Sequence, residues 1–266
     1  GVEAGNFTMT APVGSYEASY NTGIGYQALD ALTTGRQNTA VGDKAMTANT
    51  TGIYNTAIGQ SSLEANISGG TNVAVGVFAL RKNTTGGTNT AVGVSALTSN
   101  VTGSSNTAVG EKAGAGVDTN SFSNNSLFGY QAGFALTTGS NNILLGYKAG
   151  DNLTTGANNI IIGYDIDAPA VNSANILNIG NLIFATGVDG TGTTLSTGNV
   201  GIGTTSPNAV ALLDLISTTK GFKLMNMTTV QRDAISTPPA GLTIYNSTTN
   251  KLNFYNGTAW EAVTSA

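Results

Sequence analysis

Asp165 and Asp167, two positions apart behind Gly163, are the residues of this sequence whose spacing most suggests chemistry. Neighbouring carboxylates can hold a calcium ion, or can cleave a glycosidic bond when about 5–10 Å apart. A calcium loop needs six or more oxygens in a recognisable order. The flanking sequence offers no such order and no second carboxylate motif, so the pair reads as a polar loop. The chain has no His and no Cys. That removes the usual general base, the usual transition-metal ligands, a Ser-His-Asp triad, a thiolate nucleophile and any disulfide framework. The glycine-rich runs at 187–192 and 198–203 superficially suggest phosphate loops, but they lack the Lys-Ser/Thr ending and a following helix; both read as turns. No catalytic residue, cofactor or metal ligand is assigned, and the expectation is a protein that is not an enzyme.

Two further patterns carry possible chemistry, and both are periodic. Glycosylation sequons stand at Asn49, Asn66, Asn83 and Asn100, evenly spaced along the chain. Asn is also a good turn residue beside abundant Thr, and the regularity places these positions on loops along one edge. Threonines at 22, 39, 56, 90 and 107 predict a ladder of hydroxyls. An ice-binding surface would want it unbroken, yet Val73 interrupts it and Ser126, Ile143 and Ile160 replace it.

The element that positions all of these is a repeat, the feature to seek first in any sequence. Asn-Thr-Ala-Val-Gly recurs, with small changes, as Asn21 to Gly25, Asn38 to Gly42, Asn55 to Gly59, Asn72 to Gly76, Asn89 to Gly93 and Asn106 to Gly110. It continues as Asn125 to Gly129, Asn142 to Gly146 and Asn159 to Gly163, with Gly180 closing a tenth copy. The glycines recur at every seventeenth position, with one longer step of nineteen from Gly110 to Gly129. The constant Gly suits a position of positive φ or close backbone approach. A repeat of seventeen is too short for two helices or a propeller blade. It suffices for two short strands and two turns, which is one coil of a parallel β-solenoid. Coils about 4.8 Å apart would stack Asn on Asn and Val on Val, and an Asn ladder can satisfy its own amides. Each coil offers only a thin core of small residues such as Ala40, Val41, Ala45 and Met46. Adjacent apolar residues in one strand, Ala40 with Val41 or Ile160 to Ile162, point to opposite faces. One face fills the coil and the other is free to bury against other chains, the usual remedy for a small core.

Composition agrees with an ordered, polar-coated stack. Charged residues make up 9% against about 25% in ordinary domains. The hydrophobic fraction of 40% and net charge of −4 are not those of a disordered chain. The acidic balance supplies no basic stripe for nucleic acid, and no apolar run approaches the ~20 residues that span a bilayer.

These repeats resemble the heads of YadA-type trimeric autotransporter adhesins, and Asn21 to Leu29 and Asn125 to Gly133 are similar to runs found in phage and viral tail-fibre proteins. The resemblance implies a left-handed parallel β-roll assembled as a homotrimer. Gly198 to Pro207 resembles a segment common below such repeats, and residues 219–263 resemble a module of the same fibres. Typical relatives continue into a self-cleaving trimerisation chaperone, which would make Ala266 a release point.

The last third is expected to differ. Residues 181–216 alternate loosely and read as extended. Thr228 and Gln231 form a capping box for a helix over 229–235, ended by Pro238 and Pro239. Leu242 to Asn246 and Lys251 to Tyr255 read as paired strands, and Asn256-Gly257 as a hairpin turn before 259–263. Tyr245, Phe254, Tyr255 and Trp260 are the expected core. The whole is thus an all-β protein: an attachment segment (1–20), a β-solenoid of about ten 17-residue coils (21–180), an extended linker (181–216) and a small β-meander with one short helix (217–266). The function expected is a structural fibre of a virus or phage, at the virion surface or otherwise extracellular, that binds a host-surface carbohydrate or protein. A neighbouring fibre or particle protein would meet its N-terminus. The alternative is a cellular adhesin or filament subunit.

Overall fold

The computed structural model describes residues 18–117 and 120–263. The expected attachment segment therefore lies for the most part outside the described residues. The chain divides into two compact units between Ile216 and Ser217.

In the first unit, ten three-residue strands follow one another: β1 (Thr22–Ile24), β2 (Thr39–Val41), β3 (Thr56–Ile58), β4 (Val73–Val75), β5 (Thr90–Val92), β6 (Thr107–Val109), β7 (Ser126–Phe128), β8 (Ile143–Leu145), β9 (Ile160–Ile162) and β10 (Leu177–Ile179). Each pairs in parallel with the next, and every register joins equivalent residues, as in Thr39 with Thr56 and Ala40 with Ala57. The repeat is thus one winding of a solenoid, and consecutive motifs lie directly on one another. Each coil has one strand rather than the two expected. Its second wall is a run of turns, because residues two and four positions beyond the Gly hold positive φ, as Ser61 (φ 52) and Leu63 (φ 50) do beyond Gly59.

The constant glycines have φ near 131–143° from Gly25 to Gly163. A Cβ built on Gly42 would lie 2.5 Å from the Gly59 carbonyl oxygen, and Gly76 and Gly110 meet the next coil in the same way. Close stacking, together with the backbone angle, therefore excludes every side chain here. Gly180 is the exception, with φ 60 and open space around its missing Cβ. The next strand, β11 (Ile183–Ala185), runs antiparallel to β10, so no further coil presses on it. β12 (Val200–Ile202) is antiparallel to β11, and β13 (Leu213–Leu215) is parallel to β12, all within one thirteen-stranded sheet. Gly201 therefore lies inside a strand, not in the turn expected for 198–203. The other glycine-rich run is for the most part irregular loop rather than the turn expected: Asp189 holds the loop between β11 and β12 by accepting from the Thr197 backbone N–H (2.8 Å) and hydroxyl (2.7 Å). Those bonds favour the Asp189 carboxylate and lower its pKa.

Two Asn ladders hold the stack. In the first, Asn55 donates through its backbone N–H (3.0 Å) and Nδ2 (3.1 Å) to Oδ1 of Asn38, and its Nδ2 also reaches the Gly69 carbonyl (2.8 Å). Its own Oδ1 accepts the same pair from Asn72. The pattern runs from Asn21 to Asn159 and crosses the one longer interval intact, Asn125 still donating to Asn106. The second ladder links three of the sequon residues, Asn83 to Asn66 and Asn66 to Asn49; Asn100 donates to its own loop at Gly103 instead (3.0 Å). Asn49, Asn66, Asn83 and Asn100 are all 0% exposed, so their side chains lie inside the solenoid rather than on an outer edge. Asn66 Nδ2 donates to Asn49 Oδ1 (2.8 Å) and to its own loop at Gly69 (3.0 Å).

The second unit is a four-stranded sheet in the order β14 (Asn226–Met227), β15 (Thr243–Asn246), β16 (Lys251–Tyr255), β17 (Trp260–Ala262). Helix α1 (Thr229–Asp233) starts at the capping box, with Thr228 and Gln231 bonding reciprocally. The helix side of the sheet carries Ile244, Asn246 and Asn253. Arg232 of α1 donates to Asn253 Oδ1 (2.9 Å) and sits 5.6 Å from the Trp260 ring centroid. The aromatic residues do not form one core. Tyr245 and Phe254 lie on the face opposite the helix and Tyr255 and Trp260 on the helix side, since neighbours along a strand alternate, and all four are half-buried.

Candidate functional site

Alternation within the three-residue strand decides what each side chain meets. The middle residue faces inward and is fully buried at Ala40, Ala57, Ala74, Ala91, Ala108, Leu127, Leu144 and Ile161. The first and third residues face out. The third builds a column of Ile24, Val41, Ile58, Val75, Val92, Val109, Phe128, Leu145, Ile162 and Ile179, half-buried or exposed throughout. The first begins as the expected Thr column and becomes Ile143, Ile160 and Leu177. One outward sheet face is thus a strip of Thr, Val, Ile and Leu without a charged side chain. Beside its later part, Tyr130, Tyr147 and Tyr164 stack with centroids 5.3 and 4.9 Å apart.

Where the repeat ends, apolar exposure rises. Leu195 (87%), Val210 (94%) and Leu212 (77%) stand almost free, and Leu213, Leu215 and Ile216 are also exposed. A chain folding alone buries such groups, at about 1.5–3 kcal/mol each when burial is complete; contiguous exposed apolar surface marks an interaction site. Because β12 and β13 belong to the same sheet as β1 to β10, the outward face of the repeats is continuous with this segment.

Three carboxylates, Asp151, Asp165 and Asp167, lie near one another. Asp165 (φ 54) and Asp167 are exposed at the corner of the β9 coil. Asp151 of the preceding coil has its pKa raised, by burial first and then by a hydrogen bond and charge repulsion from Asp167, with Lys148 opposing. Among the described residues, no group of three or more Asp or Glu is placed to hold a metal ion. The structural residues fare differently. Asn21, Asn38, Asn55, Asn72, Asn89, Asn106, Asn125, Asn142 and Asn159 form the first ladder, and their paired glycines from Gly25 to Gly163 form the tight corner behind the strand.

Sequence reasoning missed the second Asn ladder, although a signal existed. The same register of the repeat holds Leu32, Leu136 and Leu153, and a position that exchanges Asn for Leu faces inward.

Residues 201–266 match the family model described as a phage tail like trimerisation region. The match does not reach the repeats. No curated protein and no solved structure matches the chain. The matched segment supports a homotrimeric, virion-associated structural protein of the phage tail-fibre type. Among the described residues, no helix is long and apolar enough to cross a membrane.

Proposed function

We propose that the chain is a homotrimeric phage tail-fibre protein whose solenoid serves as a rigid shaft and attaches the particle to a host-surface carbohydrate or protein. The observation that carries this reading is the uncharged outward face of the sheet, which runs unbroken from the ten coils into the segment matched as a trimerisation region. Three copies joined along that face cover the apolar columns and leave the turn-built walls outward, where loops can meet a receptor. The ladders supply the stiffness a shaft needs. The protein works by shape and contact, without catalysis. This fits the absence of His and Cys.

Adsorption competition tests the reading. Purified protein added before infection should lower phage attachment in proportion to its concentration, and antibody against it should label the distal tail in electron micrographs. Labelling of the capsid interior, or undiminished adsorption at saturating protein, would contradict it.

A further inference from the structure

The second unit has a sheet face that the unit itself does not cover. Helix α1 lies over one side of the four-stranded sheet. Among the described residues, Ile244 is the one large apolar side chain of this unit that is buried; its other buried groups are Asn246 and Asn253. Around fifty residues with so small a core do not stand alone without staples or partners, and the sequence has no Cys. On the opposite side, the cross-strand row Asn226, Tyr245 and Leu252 floors an open groove of about 300 Å³. Its wall is the preceding segment, Phe222 to Leu224. Phe222 is 72% exposed and Leu252 41%. A hydroxyl bond from Tyr245 to Asn250 (3.2 Å) holds the ring in place.

We propose that this groove is a subunit contact: the helix-free face of the sheet, with Phe222, Tyr245 and Leu252 at its centre, packs against the same unit of a second copy of the chain. The occupant follows from three observations. The residues lie within the segment matched as a trimerisation region. The centre of the surface is apolar and aromatic, as Phe222, Leu224, Tyr245 and Leu252, with Lys223 and Asn226 as its polar part, the arrangement of an interface core with a polar rim. The unit also lacks an internal core of its own. The proposal rests on the homotrimeric reading and adds which face makes the contact.

The test uses the full chain and two substitutions on opposite faces. Leu252→Glu puts a charge in the groove. Val230→Glu puts one on α1, where Val230 is already 80% exposed. With mass photometry over a dilution series, Leu252→Glu should raise the concentration of half-dissociation at least about tenfold, while Val230→Glu leaves it unchanged. An undisturbed trimer with Leu252→Glu, or dissociation caused by Val230→Glu, would overturn the assignment. A wild-type chain that is monomeric at all concentrations would instead overturn the trimeric reading. Should Leu252→Glu fail to fold, hydroxyl-radical footprinting of the wild-type assembly decides. Phe222 should be nearly unlabelled and Val230 strongly labelled; equal labelling contradicts the proposal.

Discussion

The coils of β2 to β5 and those of β7 and β8 have the same backbone and fill it differently. In the earlier coils the inward strand residue is Ala, the residue four beyond the Gly is Leu or Met, and the residue seven beyond is a ladder Asn. The β3 coil, for instance, uses Ala57, Leu63 and Asn66. In the later coils the three become Leu127, Gly133 and Leu136, or Leu144, Gly150 and Leu153. The β1 coil solves the problem a third way, with Gly23, Leu29 and Leu32. In the β6 coil Gly114 leaves room that Phe122 enters: a Cβ there would lie 3.3 Å from the Phe122 ring. What each coil keeps constant is enclosed volume, as close packing demands. Which residue supplies it is free. The later coils exchange a polar ladder for Leu inside, and β8 also exchanges Thr for Ile143 outside.

The largest effect should come from forcing one solution onto the other. Gly133→Leu meets Leu136 and Leu144 at 2.9 Å and Leu127 at 3.1 Å, at φ +63. It should cost about 3–5 kcal/mol in chemical denaturation. Adding Leu127→Ala and Leu136→Asn, which copies the earlier pattern, should restore at least about half of that loss; no recovery would refute the volume exchange. Next, Asn66→Ala should cost about 2–4 kcal/mol, since it orphans the Asn49 Oδ1 acceptor and takes from Asn83 Nδ2 the Oδ1 it donates to inside the stack.

On the outward face the comparison becomes one of association. Leu145→Glu and Val92→Glu should each weaken the trimer in sedimentation, Leu145→Glu the more. Thr71 is a β-branched residue at φ 59 where the later coils place Asn141 and Asn158 at φ 60. Thr71→Asn should therefore add about 0.5–1 kcal/mol in thermal unfolding. The smallest effect concerns Asp151. Its folded pKa is raised, so its stability contribution is full below the unfolded value of 3.8 and is lost as pH rises through the folded value. Asp151→Asn should accordingly stabilise the chain at neutral pH, and the advantage should vanish in acid.

Much of this was legible because the repeat reports on itself. The regular glycine interval gave the coil, and Thr228 with Gln231 gave the start of α1 to the residue. What escaped had physical reasons. The second wall of each coil is made of left-handed turns largely by Gln, Lys, Phe and Leu, residues that carry no turn signature, so a second strand was expected there. β11 reverses direction within a stretch whose alternation fits either pairing. β14 has two residues, too few for any periodicity. The aromatic residues of the second unit read as a core because pattern alone does not say which face of the sheet the helix covers.

The account depends most directly on the number of chains. Native mass spectrometry of the full chain at nanomolar concentration should give three times the single-chain mass of 26.7 kDa, with no folded single chain in the charge-state envelope. A compact, stable species at the mass of one chain would contradict it.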